Sequence, residues 1–416
     1  MGRRLEWLAP GLGVKRWVLV AFAGGVLLVV SVLLAAGVLW SPQLLRGLGA
    51  GWLEHRRWAA VVLVADGIVF GAVGLLYGGW RLWLFHRTTP ETAGEIRNAA
   101  RLARGPRVVA VGGGTGLAAL LSGLKSHTSN LTAVVTMADD GGSSGRLRRS
   151  MGMPPPGDLR SCLVALADDE STMSRLFQYR FPEDGGLHGH SFGNLFMAAL
   201  TDVTGDFELA VQESTRVLKV RGRVLPSTLE DVVLHAQLED GGQVSGESTI
   251  TAAGRLPRRV WLTPEAPRAL PQALDALARA ELVVLGPGSL YTSVLPNLLV
   301  SEVREAVRAT RAWVVYVCNV MTEPGETDGY TAADHVEALY RHGLAGAVDV
   351  VLVNDAPVSP AAAEGYRLQG AAVVPVDDTR LRRLGVRVVS APVAAESDVV
   401  RHDPERLTRA LLRIVR

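Results

Sequence analysis

The sequence predicts an α/β domain with a mostly parallel sheet, helices on both faces and a small antiparallel insertion, preceded by two transmembrane helices. Three observations carry that expectation. From Arg107 onward, short β-branched runs alternate with longer amphipathic segments, the pattern of parallel strands joined by crossover helices. Two of these runs, Val108 to Val111 and Leu282 to Leu285, pass directly into glycine-rich turns. Glycines at a strand-to-helix turn let backbone N–H groups approach an anion, and the helix N-terminus adds a favourable dipole. Ahead of the domain, no charged residue occurs from Trp17 to Trp40.

Taken in order, residues 1–86 read as a membrane hairpin, with spans at about 17–40 and 58–85. A helix of either length crosses a ~30 Å hydrocarbon core. Trp58, Tyr77, Trp80 and Trp83 stand where interfacial anchors belong. Arg3 and Arg4 suit a cleaved signal peptide as well, but the first apolar run is too long and a second follows. Arginines and lysine flank the hairpin at both outer ends (Arg3, Arg4, Lys15 and Arg16 before it, Arg81 and Arg87 after it), against Arg46, Arg56 and Arg57 in the loop. That bias places both termini and the large domain in the cytoplasm, the protein being held in the cell membrane. Asp66 falls inside the second span, where a carboxylate costs a few kcal/mol. It reads as facing the partner helix or a dimer contact.

Residues 87–106 form a polar linker, helical between Pro90 and Pro106. The domain proper is 107–416. Its expected strands are 107–111, 131–137, 281–285, 312–318 and 348–353. The expected helices are 116–125, 158–168, 191–201, 206–217, 298–309 and 331–342. Between about 224 and 262, Leu229 to Leu238 and Val244 to Ile250 flank Glu239-Asp240-Gly241-Gly242, a hairpin signal that marks the antiparallel insertion.

The composition narrows the function. With 416 residues, 48% apolar, the chain buries a large core, and a net charge of +2 without basic-aromatic runs gives no support for nucleic-acid binding. Two cysteines, Cys162 and Cys318, exclude a disulfide framework.

The chemistry concentrates in glycine loops. Gly112-Gly113-Gly114-Thr115-Gly116 follows the first strand, and Asp139-Asp140-Gly141-Gly142-Ser143-Ser144-Gly145 follows the second. The first is not the dinucleotide fingerprint, because Leu117 stands where the third small residue belongs, and no Gly-Lys-Ser/Thr makes it a Walker loop. Loops from successive strands face one sheet edge, where open α/β folds bind ligands, so they read as a phosphate or nucleotide pocket. Asp139 and Asp140 suit either Mg²⁺, which takes one or two carboxylates plus phosphate oxygens, or a capping role. Asp158 opens a helix after Pro154-Pro155-Pro156-Gly157 and reads as its N-cap. Gly189-His190-Ser191-Phe192-Gly193 fits a nucleophile-elbow pattern but lacks the strand that motif needs. His190 and Asn194 instead point from a helix N-terminus toward the pocket. Gly286, Gly288, Ser289 and Tyr291 lie on a further strand-then-glycine loop, and Asn319 ends another strand where it faces a base or sugar.

The ordered blocks GGGTGL, ADDGGSSGRLR, PPGD, LFQYRF, GHSFGNL, GRVLPST, VLGPGSLYTS, PNLLV, VYVCNVMT with GET, and DHV span 112–336. Together they resemble the bacterial gluconeogenesis factor family, which is related to 2-phospho-L-lactate transferase. The resemblance implies a Rossmann-like fold that binds a UDP-type nucleotide sugar and serves cell shape and envelope supply during gluconeogenic growth. It places the glycine loops, Asp139, Asp140, Ser143, Ser144, Asn194 and Asn319 in the cleft, and gives Tyr366 and Arg401 nucleotide-sugar contacts. Ser161 departs from the Asn expected there, and the membrane hairpin is not part of the family core.

Two functions are compatible with these residues. One is a ligand-binding regulator acting through protein partners, with self-association and no tightly bound cofactor. The other is a phospholactyl transferase using a guanylyl carrier, a deazaflavin and Mg²⁺, in which Asp139 and Asp140 would be catalytic. Phosphoryl-type transfer chiefly needs positioning and charge stabilisation, so a missing base does not decide between them. The regulator is favoured. A nicotinamide enzyme is disfavoured by the glycine spacing.

Overall fold

The computed structural model describes residues 14–40, 62, 64–80, 90–167, 172–182, 185–396 and 399–415. The chain divides into two units, Met1–Arg101 and Leu102–Arg416.

In the first unit, helix Val14–Trp40 and a helix over 64–80 pack antiparallel. Small residues make the close approach possible. A Cβ on Gly71 would sit 2.7 Å from the Leu28 backbone N, and one on Gly78 would sit 2.8 Å from Ala21 Cβ. Gly67 faces Ser31, Gly74 faces Gly24, and Trp17 meets Tyr77 edge-on at 5.5 Å. The outward faces expose Phe22, Leu33, Phe70 and Leu76. Asp66 is exposed too, so it does not face the partner helix. Among the described residues no helix is long and apolar enough to cross a membrane. The expected spans at 17–40 and 58–85 are therefore not shown: residues 58–61, 63 and 81–85 lie outside the described residues, as does Trp58. The linker is helical over Pro90–Leu102, as expected.

Among the described residues the second unit has twelve strands: β1 Val108–Gly112, β2 Leu131–Val135, β3 Arg223–Pro226, β4 Val233–Leu238, β5 Gln243–Ser245, β6 Pro257–Thr263, β7 Leu282–Leu285, β8 Trp313–Val317, β9 Val350–Asn354, β10 Arg387–Ala391, β11 Ala394–Glu396 and β12 Val400–His402. Seven form one sheet in the order β10-β9-β8-β7-β1-β2-β3, every neighbouring pair parallel. Every residue of β1, β2 and β7 is buried, so both faces of the sheet centre are covered. Continuous apolar runs are what such strands require. All five expected strands are present. The edges β3 and β10 were not anticipated, because RVLP and RVVSA are short and partly exposed.

The chain runs outward from β1 through β2 to β3, then returns to β7 on the other flank of β1 and continues to β10. This reversal is the switch point, and the loops after β1 and β7 meet there. The insertion is a three-stranded antiparallel sheet, β5-β4-β6. Its hairpin turns where expected, with the Gly242 N–H donating to Asp240 Oδ1 at 2.9 Å. The expected strand over Val244–Ile250 is a correction: only Gln243–Ser245 is extended, and Glu247–Ala252 is helical.

The C-terminal segment completes the site. Asp403 caps helix Pro404–Ile414 by accepting the Arg406 N–H at 2.8 Å. That helix packs on Gly114–Leu124, where Gly123 lies against the Pro404 carbonyl and Thr408. The contact seats β12, immediately before the cap, close to the first glycine loop.

Candidate functional site

The first loop leaves β1 with Gly113 extended, and helix Gly114–Leu124 follows at once. Leu117, Leu120, Leu121 and Leu124 are fully buried and fix this helix on the sheet. The second loop leaves β7 with Gly288 at φ 154°, a conformation side chains rarely adopt. The loops touch. A Cβ on Gly116 would lie 2.7 Å from the Pro287 carbonyl oxygen, and one on Gly288 would lie 3.3 Å from the Gly113 oxygen.

Between them lies a cavity of about 460 Å³, lined by Gly113 to Gly116, Pro287 to Ser289, Asn319, Glu323, Tyr366, Arg401 and His402, among others. Asn319 donates from Nδ2 to Glu323 at 3.3 Å, and its buried Oδ1 has no partner among the described residues. Burial raises the Glu323 carboxyl, which a Ser289 hydrogen bond partly offsets. The Tyr366 hydroxyl accepts the Val400 N–H at 2.9 Å, so helix Pro360–Leu368 holds β12 and Arg401 at the rim. His402 is pushed down to about 4 by burial and is neutral at physiological pH.

Several expected residues do not line this cavity. Asp139, Asp140, Ser143, Ser144, His190 and Asn194 form a separate group behind the Gly113–Gly114 turn, joined to it by Asp158. The Asp158 carboxyl does not cap its own helix, which starts with Pro156 at the N-cap. It accepts the Gly114 N–H instead, and the extended Gly113 leaves it room. Burial first, then the Asp139 charge, lifts it to about 6.

In that group, Ser143 Oγ is 2.9 Å from His190 Nδ1 and accepts from Asn194 Nδ2 at 3.1 Å. Arg146 Nε donates to His190 Nε2 at 3.2 Å, which assigns the ring proton to Nδ1 and leaves His190 unable to act as a base toward Ser143. Burial, then Arg146, holds its pKa below the usual range. Ser191 is buried and accepts the Asn194 N–H at 3.3 Å, a helix cap rather than a nucleophile.

Asp139 and Asp140 diverge. Asp139 Oδ1 accepts the Gly141 N–H at 2.9 Å. Asp140 Oδ1 accepts the Ser248 N–H at 2.9 Å and anchors the insertion. Each thus commits one carboxylate oxygen to a backbone N–H, and among the described residues no group of three or more His, Cys, Asp or Glu side chains could hold a metal. Glu247, missed in the sequence, reaches this group from the insertion; burial, then Asp139, pushes it up to about 8. Glu326, also missed, is buried, accepts from Thr292 at 2.9 Å and is raised to about 7 by burial and Glu323. Tyr291 is a core residue: its hydroxyl pairs with Tyr330 at 2.9 Å, and burial raises its pKa.

The profile of the family described as 2-phospho-L-lactate transferase CofD matches residues 108–394. A relative from a Nostoc species is 45% identical over 98% of this chain and 92% of its own. The gluconeogenesis factor of Bacillus subtilis is 48% identical, covering 75% of this chain and 98% of its own. A crystal structure of a Bacillus halodurans protein superposes with a TM-score of 0.72 at 49% identity, covering 74% of this chain and all of that one. The two glycine loops of the cavity fall inside the matched region, while Arg401 and His402 lie beyond it, and the chain belongs to the 2-phospho-L-lactate transferase CofD family, alongside the gluconeogenesis factors.

Proposed function

We propose that the domain is a regulator that binds a UDP-type nucleotide sugar between the two glycine loops and serves cell shape during gluconeogenic growth. The observation that supports it is the contact of the β1 and β7 loops around one cavity. The N-terminal amides of an 11-residue helix, Gly114–Leu124, point there with the positive end of its dipole. A diphosphate fits these donors, with the Arg401 guanidinium at the rim. The Asn319 Oδ1 is free to accept a hydrogen bond from a base or sugar. Relatives named gluconeogenesis factor support the gluconeogenic part of this reading.

The first unit is proposed as a membrane hairpin, with both termini and the domain on the cytoplasmic side. Its glycine-lined helix contact supports this, because lipid gives no hydrophobic drive and close backbone packing holds such pairs together. Its outward-facing Phe22, Leu33, Phe70 and Leu76 would be costly in water and suit lipid. Self-association and protein partners belong to the same reading.

The second reading is a transferase of the phospholactyl type, favoured by the family match. Mg²⁺ would then arrive with the guanylyl carrier's phosphates, beside Asp139 and Asp140, whose charges both act on Glu247.

Calorimetric titration of the full chain with UDP-sugars, GDP and NADH tests the first reading. A saturable UDP-sugar signal is expected, and a preference for NADH would overturn both readings. Turnover of a guanylyl-phospholactate donor with a deazaflavin acceptor would replace the regulator by the transferase. Tyr366→Phe leaves the Val400 N–H unpaired and loosens β12, so UDP-sugar affinity is expected to drop about tenfold, equivalent to ~1.4 kcal/mol. Unchanged affinity would remove β12 from the site.

A further inference from the structure

A second cavity of about 600 Å³ lies between the outer face of the insertion and the turn after helix Ala332–Leu339. Three guanidinium groups line it: Arg259 on β6, Arg304 on helix Ser301–Ala309 and Arg341 on the Tyr340–Leu344 turn. They come from three separate elements, so their convergence is a product of the tertiary fold. Gln237 and Gln243 add carboxamides from paired strands. Among the described residues Glu265 is the only carboxylate in the lining.

The arginines are positioned rather than loosely gathered. Gly343, at φ 95°, lets the Arg304 stem lie on its backbone, and a Cβ there would be 2.9 Å from Arg304 Cδ. Arg341 is steadied by donating to the Tyr291 hydroxyl at 3.3 Å. Among the described residues neither Arg259 nor Arg341 has a carboxylate within ion-pair distance, and Arg304 has only the exposed Glu305 at 3.4 Å. His342 adds no charge, since its Nε2 accepts the Val260 N–H at 3.0 Å and its Nδ1 lies 2.7 Å from the Ala338 carbonyl. Like charges drawn together repel unless an anion sits among them, and planar guanidinium forks match phosphoryl oxygens two bonds at a time. Trp261 offers an aromatic surface at the same opening, its ring already stacked on His235 at 5.5 Å.

We propose that this cavity is a second ligand site, taking a small polyanion with adjacent phosphoryl groups. It is separate from the cavity between the glycine loops, with which it shares no lining residue. It is nonetheless tied to that cavity, because Tyr291, which receives the Arg341 hydrogen bond, lies two residues beyond Ser289 in the second loop. The proposal does not rest on the nucleotide-sugar reading.

Hydrogen exchange of the full chain in detergent, with and without millimolar inorganic pyrophosphate, locates the binding. Protection is expected at Pro257–Thr263 and Tyr340–Leu344, retained in Arg401→Ala and lost in the double variant Arg259→Ala/Arg304→Ala. Both arginines have partly exposed side chains, and unchanged exchange elsewhere in the double variant shows that it still folds. Protection confined to the Gly112–Gly116 and Gly286–Ser289 loops would overturn the second site while leaving the first intact. Protection at Pro257–Thr263 that survives the double variant, or no protection at all, would overturn it too.

Discussion

Gly116→Ala is expected to destabilise the domain and abolish nucleotide-sugar binding, against the rule for its secondary structure. Gly116 lies within helix Gly114–Leu124, where Ala should gain up to ~1 kcal/mol over Gly. The added methyl, however, would stand 2.7 Å from the Pro287 carbonyl oxygen and 2.9 Å from its carbon. Those are backbone atoms of the opposing loop and have no rotamer to adopt, so the loops must part. Overpacking of this kind costs ~1–3 kcal/mol, enough to reverse the propensity gain. Parting the loops also moves the amides proposed to hold the anion, so a UDP-sugar should lose more than 100-fold in affinity. Gly94→Ala is the control: Gly94 is helical with nothing within 4 Å of a new Cβ, and should gain or stay level. Thermal unfolding and calorimetry on the two variants give the comparison. Matching gains at both positions would mean the loops do not touch.

The second large effect is in pH. Asp158 titrates at about 6 in the fold against an ordinary value of 3.8. A carboxyl with a raised pKa holds its proton more tightly when folded. Its contribution to stability is complete below about pH 4 and is lost as pH rises through 6. The loss is on the order of 3 kcal/mol. Glu326 at about 7 and Glu247 at about 8 extend the decline toward pH 8 in the same direction. Asp158→Asn keeps an oxygen to accept the Gly114 N–H and carries no charge. It is expected to match the native chain near pH 4 and to melt several degrees higher at pH 8. Parallel melting curves for the two proteins across that range would show that Asp158 is not the buried charge described.

How far the sequence carried is best seen in particular residues. β1, β2, β7, β8 and β9 were legible because strands buried on both faces must be apolar throughout, which leaves an unbroken signal. β3 and β10 were not, since an edge strand needs neither length nor full apolarity. Residues Val244 to Ile250 read as a strand because they follow the Glu239-Asp240-Gly241-Gly242 hairpin signal. Gly246 breaks it at φ 98°, and Asp140 receives the Ser248 N–H at the new helix start. That contact spans more than a hundred residues and leaves no local trace.

The glycine loops were legible because only glycine tolerates such close backbone approach. Their partners were harder to read. Asp158 looked like a cap by position, whereas tertiary contact turns its carboxyl to the Gly114 amide. Tyr291 was carried into the site by adjacency to Ser289, yet it is a buried ring paired with Tyr330. Glu247 and Glu326 have no spacing signature at all, and their importance comes from burial beside other carboxylates. Asp139 and Asp140 are neighbours in sequence, but their carboxyls serve different loops.

The claim beneath all of this is that the loops after β1 and β7 grip one anionic group together. A density map of the full chain with a UDP-sugar bound would test it most directly. The diphosphate is expected between the amides of Thr115 and Gly116 and those of Gly288 and Ser289, with Arg401 over it. A diphosphate resting on one loop alone, or lodged beside Asp139 and Ser143, would contradict it.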